Sequence, residues 1–343
     1  MNKKLVGKYF LCLVAVSLNK CVVIWSQQMT DWPPGKTSAF FIYHPKSKAL
    51  LLFDGSGAGL DSSKNYADTG RNDVWKWDGE SWKRLYATGP GLKSLSAGAL
   101  NKKTGLIHVF GGVGIRGYES KRDDMWSFDG LKWVRVPANN IGSRDHHKIV
   151  YMDHIDAFLL YGGADSIRQF DSTTWILKNS QFTRLTIPGP GTRYHFALAY
   201  DAKRQKVILF GGGRQGRRDE TWEFDGERWE KISTKESPGQ RLRHNMVYDE
   251  DTGMTVLHGG DEKGTTWAWD GKVWKKIAEG GPVGDLQALG YDPVRKSIFV
   301  FGGSGPDDMI TSDVWELKNQ IWRKISGNGK WKWMGDHYER ISK

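Results

Sequence analysis

A chain of 343 residues suits either two ordinary domains or one large all-β domain, and its 42 glycines and 17 tryptophans favour turns and aromatic strands. With 38% hydrophobic residues it is neither disordered nor a membrane bundle. Its formal charge of +11 leaves nucleic acid, acidic glycan and acidic protein open as partners until the cations are located.

The first residues stand apart. Lys3, Lys4 and Lys8 precede an apolar run from Tyr9 to Leu18, the layout of a secretory signal, and Ile24, Trp25 and Ser26 offer a cleavage site before Gln27. Residues 1–26 are therefore expected to be a signal peptide, and the protein to be secreted or periplasmic. A lipid anchor on Cys21 would need a small residue before it, and Lys20 in that place argues against one. Cys12 and Cys21 both fall inside this segment, so the mature chain is expected to lack disulfides, thiolate metal sites and cysteine nucleophiles. No second long apolar run exists, and no transmembrane helix is expected after the signal.

From residue 36 onward one pattern returns about every 48 residues. Its clearest part is an aromatic pair around a turn: Trp75 and Trp82 about Asp78-Gly79, Trp126 and Trp133 about Asp129-Gly130, Trp175 and Phe182 about Lys178-Asn179. The later copies are Trp222 and Trp229 about Asp225-Gly226, Trp267 and Trp274 about Asp270-Gly271, and Trp315 and Trp322 about Lys318-Asn319. Asp-Gly between alternating apolar residues predicts a tight hairpin with positive φ at both turn positions.

Upstream of each pair lies an apolar run ending in two glycines, at Gly111-Gly112, Gly162-Gly163, Gly211-Gly212, Gly259-Gly260 and Gly302-Gly303, with Asp54-Gly55 in the first copy. Before that comes another strand ending in a turn, as at Tyr200-Asp201, Tyr248-Asp249 and Tyr291-Asp292. Each copy thus holds four strands. Six copies predict a six-bladed β-propeller of four antiparallel strands per blade.

These residues resemble the Kelch-repeat family, in particular its bacterial branch akin to the galactose oxidase central domain. The double glycine, the aromatic before the final tryptophan and the Trp-x-Phe-Asp-Gly-x-x-Trp block carry the resemblance over roughly residues 36–325. The expected organisation is a propeller over 27–325, with blades at about 36–85, 93–136, 144–185, 193–232, 241–277 and 284–325, and a C-terminal tail over 326–343. Ring closure without strand exchange, and closure by an added strand from either end, both remain open.

Much of the charge falls on the last strand of each copy: Lys83, Arg84, Arg135, Arg184, Lys231, Lys275, Lys276, Arg323 and Lys324. Those are outer blade edges, where cations discourage edge-to-edge pairing, so no nucleic-acid partner is expected.

Ligand candidates gather on the face formed by the connections from strand two to three and from strand four to the next blade. The position just before each first strand is Lys36, Lys93, Arg144, Arg193 and Arg241, with Gly284 in the sixth copy. Beside these stand His146 and His147, Tyr194 and His195, and Arg243 and His244. The long connections add Arg116, Lys121, Arg122, Arg168, Arg214, Arg217 and Arg218, opposed by Asp261, Glu262, Asp285, Asp307 and Asp308. Guanidinium forks suit carboxylates, sulfates and phosphates, so an acidic glycan or peptide is the expected ligand of a monomeric recognition protein. The competing role for the recurring arginines is scaffold, bonding backbone carbonyls in every blade. Departures from the repeat, Tyr194, Arg214, Arg217 and Arg218, are then the better site candidates.

The family resemblance also implies activities. Galactose oxidase uses copper with a tyrosine cross-linked to a cysteine, which a cysteine-free mature chain cannot form. Other Kelch-like propellers act on sialic acids as mutarotase-epimerases, and propeller lyases remove a proton beside a uronate carboxylate. In such an enzyme His147, His195, His244 or Tyr194 would serve as base and Arg193 would neutralise the carboxylate. No cofactor and no metal site is expected.

Overall fold

The computed structural model describes residues 32–56, 73–87, 89–91, 94–114, 117–138, 141–165, 167, 169–214, 216–305, 309–327, 330–333 and 338–342. The expected signal peptide over 1–26 lies outside them. No helix among the described residues is long and apolar enough to cross a membrane.

The described chain is all-β, a propeller of six four-stranded antiparallel blades. Each blade is built from one copy of the repeat, with its strands side by side in chain order. The first strands, Thr37–His44, Ala97–Asn101, Lys148–Met152, Ala197–Asp201, Asn245–Asp249 and Ala288–Asp292, pack each on the next and the last on the first, around the central channel. Second strands are the most deeply buried: Ala157–Tyr161 and Ser297–Phe301 are buried at every position, because a neighbouring blade covers each face. That double cover is why these strands read as continuous apolar runs rather than alternating ones.

The outer-strand aromatics join blade to blade. Each lies against the aromatic ring that ends the second strand of the preceding blade. Ring centroids are 5.8 Å apart for Trp133 and Phe53, 5.4 Å for Phe182 and Phe110, and 5.3 Å for Trp229 and Tyr161. They are 5.2 Å apart for Trp274 and Phe210, and 4.6 Å for Trp322 and His258. Three of the indoles also donate Nε1–H to a threonine of the preceding blade, Trp229 to Thr174, Trp274 to Thr221 and Trp322 to Thr266, each at 2.8 Å.

Closure repeats this contact without exchanging a strand. Trp82 of blade 1 lies 5.2 Å from Phe301 of blade 6. Ser38 N–H donates to Leu286 O at 3.0 Å, and Gly303 N–H to Lys36 O at 2.8 Å. The tail is not a closing strand: Lys330–Trp333 and Tyr338–Ser342 form a hairpin whose first strand pairs with Ile310–Thr311, inside the connection of blade 6.

The Asp-Gly hairpins differ from expectation. Trp77 pairs with Trp82, which leaves four loop residues, and only Gly79 has positive φ, at 97°. Asp78 instead accepts hydrogen bonds from the N–H groups of Glu80 and Ser81 at 3.0 and 2.8 Å, and Asp129, Asp225 and Asp270 act alike. The carboxylate satisfies two loop donors that a tight turn would not expose. Two-residue left-handed turns occur at Asn179-Ser180, with φ of 51° and 62°, and at Asn319-Gln320, with 50° and 63°.

Trp82→Ala should open the closing interface and cost about 3–5 kcal/mol in urea unfolding, the range for a large buried aromatic. A loss no larger than that of an exposed outer-edge residue would show that closure does not rest on this ring.

Candidate functional site

Lys36, Arg144, Arg193 and Arg241 make one and the same bond. Each side chain donates to the carbonyl eighteen residues downstream: Lys36 to Asp54 O at 2.8 Å, Arg144 to Gly162 O at 3.0 Å, Arg193 to Gly211 O at 2.9 Å and Arg241 to Gly259 O at 2.9 Å. Those acceptors are the first residues of the glycine pairs, and Asp54, at φ 56°, stands in for the glycine in blade 1. The arginines are buried and ion-paired, Arg144 to Asp171, Arg193 to Glu220 and Arg241 to Asp261. These side chains therefore hold the corners of blades 1, 3, 4 and 5 and are turned inward rather than onto the loop face. Arg218 joins them, with Nη1 3.1 Å from Pro190 O and 3.6 Å from Glu220. Burial alone would raise the Glu220 carboxyl, but hydrogen bonds from Lys231 and Arg193 hold it well below the usual range. Lys93, Arg116, Arg168, Asp307 and Asp308, and the side chain of Lys121, lie outside what is described.

Two residues further along, the six copies present Ser38, Leu95, His146, His195, Arg243 and Leu286, all with positive φ between 54° and 63°. Their backbones bond around the mouth of the channel: Ser38 N–H to Leu286 O, Leu286 N–H to Arg243 O, Arg243 N–H to His195 O, and His146 N–H to Leu95 O. These bonds compensate the cost of the left-handed conformation, about 1–2 kcal/mol per residue.

The side chains of this ring and its surroundings form an aromatic and imidazole cluster over blades 3 and 4. His146 and His195 have ring centroids 4.6 Å apart, and Tyr194 lies 4.8 Å from His195. Phe170 stacks on Tyr194 at 4.9 Å and 29°, and the Arg214 guanidinium sits 5.4 Å from the Phe170 centroid. Arg214 is brought there by the backbone, since Tyr194 and Gly213 exchange both N–H···O bonds at 3.2 Å. Gly213 must be glycine, because a Cβ there would fall 1.8 Å from Gly216 O, where the loop doubles back. Arg217 is exposed beside it.

Behind the cluster, Asp145 is buried and accepts from His146 Nδ1 at 2.7 Å, while Arg243 pairs with Asp285 at 3.1 Å. Burial first, then the nearby His146, Arg243 and Lys148, push His195 down to about 3. Its imidazole is neutral at physiological pH and offers one donor and one lone pair. His147 and His244, one position along, are buried between blades against Phe110 and Phe210, and burial draws both to about 3. No group of three His, Cys, Asp or Glu side chains among the described residues is arranged to hold a metal ion.

Of the candidates named from sequence, Tyr194, His195 and Arg214 come together at the mouth, with Arg217 on the same loop. Phe170 and Lys148 were missed. Lys148 was findable, because the corresponding positions are Phe40, Ala97, Ala197, Asn245 and Ala288. Phe170 was findable in the same way, since the connection of blade 6 has the same length and bridging and carries Ile310 at that position.

The six blades define a β-propeller, and several of its polar and aromatic departures from the repeat gather at one mouth. No protein-family model matches the chain. Mei4-dependent protein 6 of Schizosaccharomyces pombe is 26% identical over 221 residues, which cover 52% of this chain; the chain spans only 31% of that relative's length. The solved structure of YjhT matches with a TM-score of 0.64 and 14% identity, over 86% of this chain and 99% of YjhT, a likeness of fold alone.

Two outcomes test this division of labour. Arg241→Lys should lower stability by about 2 kcal/mol, through loss of charge-assisted bonds to buried acceptors, whereas Arg217→Ala should stay within about 0.5 kcal/mol of the parent. Denaturant titrations of both variants measure it.

The buried imidazoles give a pH signature. His147 and His244 are lowered from an ordinary 6.5 to about 3, so above pH 6.5 they are neutral folded and unfolded. Below 6.5 the unfolded chain takes up protons that the native state refuses, and stability falls by about 1.4 kcal/mol per pH unit for each imidazole until about pH 3. His147→Phe, which installs the residue blade 4 carries as Phe196, should flatten the stability profile between pH 6 and 4 by one proton. An unchanged slope would show that His147 titrates normally.

Proposed function

We propose that this chain is a Kelch-type propeller, secreted or periplasmic, that recognises an acidic glycan at the channel mouth over blades 3 and 4. The observation that carries the reading is the Phe170–Tyr194 stack capped by Arg214, with Arg217 exposed on the same loop. An aromatic surface suits the apolar face of a sugar ring, and the guanidinium that lies over the Phe170 ring suits a carboxylate or sulfate. These residues depart from the repeat and make none of the corner bonds that occupy Arg144, Arg193 and Arg241. The remaining basic surface has a different explanation: Lys83, Arg135, Arg184, Lys231 and Lys275 are exposed on outer edges, as edge protection requires.

An enzyme acting on acidic sugars is the second reading, favoured by the Asp145–His146 pair next to His195. A general base works best with a pKa near the operating pH, and His195 at about 3 is far below it. That mismatch favours binding over proton abstraction.

The test is a glycan array of uronate, sulfated and sialylated oligosaccharides, run with the mature protein. Arg214→Ala combined with Arg217→Ala should weaken the best hit by about tenfold or more, and Phe170→Ala by a similar factor. Binding that survives both changes would remove the mouth as the site. Turnover of any of these sugars, abolished in His195→Ala, would replace recognition by catalysis.

A further inference from the structure

Within the left-handed ring of the mouth lies a throat of about 50 Å³, lined on one side by Phe40, Leu95 and Leu286. The other side is cationic or polar, with Lys148, Arg243, Asn245 and His195, and with His147 and His244, whose imidazoles lie between the blades. Lys148 enters from blade 3, and its ammonium donates to Asn245 Oδ1 of blade 5 at 3.1 Å. That neutral amide is its one partner among the described residues. Asp145 pairs with His146 and Asp285 with Arg243. His147, only 1% exposed, has no hydrogen-bond partner on either ring nitrogen, and buried His244 has none on Nδ1.

We infer that the throat is a seat for one small monovalent anion, of carboxylate or halide size, held by Lys148 Nζ. An ammonium beside apolar walls lacks the solvation of bulk water, and an anion there is attracted more strongly than at the surface. Lys148 supplies a compact point charge, and the volume suits an ion or a few waters. The Asn245 amide, whose Nδ2 donates to Gln287 O, fixes the ammonium in place. Burial draws the ammonium down only to about 8, so it keeps its charge at neutral pH. The seat does not depend on the glycan reading of the mouth, because none of its groups is Phe170, Arg214 or Arg217.

Bromide is the probe. Crystals of the mature protein in sodium bromide should show an anomalous peak within hydrogen-bonding distance of Lys148 Nζ. In solution, excess 35Cl line broadening should titrate with chloride and weaken by about tenfold or more in Lys148→Met. Asn245→Asp, which sets a carboxylate against the ammonium and preserves its packing, should do the same, and keeps the test open if Lys148→Met does not fold. Arg217→Ala should leave the line width unchanged while affecting only the mouth. Bromide displaced by an acidic oligosaccharide would identify the natural occupant as a ligand carboxylate; bromide retained beside it would identify a free ion. Absence of the anomalous peak, or a line width equal to the parent's in both throat variants, overturns the inference.

Discussion

The propeller rests on an indole or phenyl ring that belongs to one blade and finds its burial in the one before it. Each outer-strand aromatic abandons its own sheet's open edge and covers the ring that ends the preceding blade's second strand. Side chains of this size bury about 150–250 Å² each, so a few such contacts match the whole net stability of an ordinary domain. Because the contact between blades 6 and 1 is of the same kind, the ring closes with no strand exchanged among the described residues.

A second layer of repeated bonds works at the corners. In blades 3, 4 and 5 the arginine before the first strand is spent on a glycine carbonyl eighteen residues later, as Lys36 is on Asp54 O in blade 1, and the second glycine of the pair donates to the next blade, as Gly112 does to Arg144 O and Gly212 to Arg241 O. Stability and the proposed recognition are thereby assigned to different residues. The recurring cations are structural, and side chains that occur once, such as Phe170, Tyr194, Lys148 and Arg214, are the ones exposed to or lining the mouth and throat.

The architecture was legible because the repeat is a local pattern: strand runs, glycine pairs and tryptophans all sit at fixed offsets, and their number gives the blade count directly. The turns were misread at Asp78, Asp129, Asp225 and Asp270, because Asp-Gly serves a four-residue capped loop as well as a tight turn, and only the strand register separates them. Closure depends on contacts between residues as distant as Trp82 and Phe301, which no local pattern encodes. The direction of the recurring arginines was likewise hidden, since sequence shows a guanidinium but not whether a carbonyl waits for it inside.

The left-handed ring at the mouth has one more consequence. Ser38, Leu95, His146, His195, Arg243 and Leu286 share a backbone conformation imposed by their neighbours, yet as side chains they have nothing in common. The geometry tolerates a hydroxyl, an alkyl, an imidazole or a guanidinium at equivalent points. Six addresses of fixed direction and varied chemistry amount to a combination dial, in which one position can be turned at a time while the ring beneath stays the same.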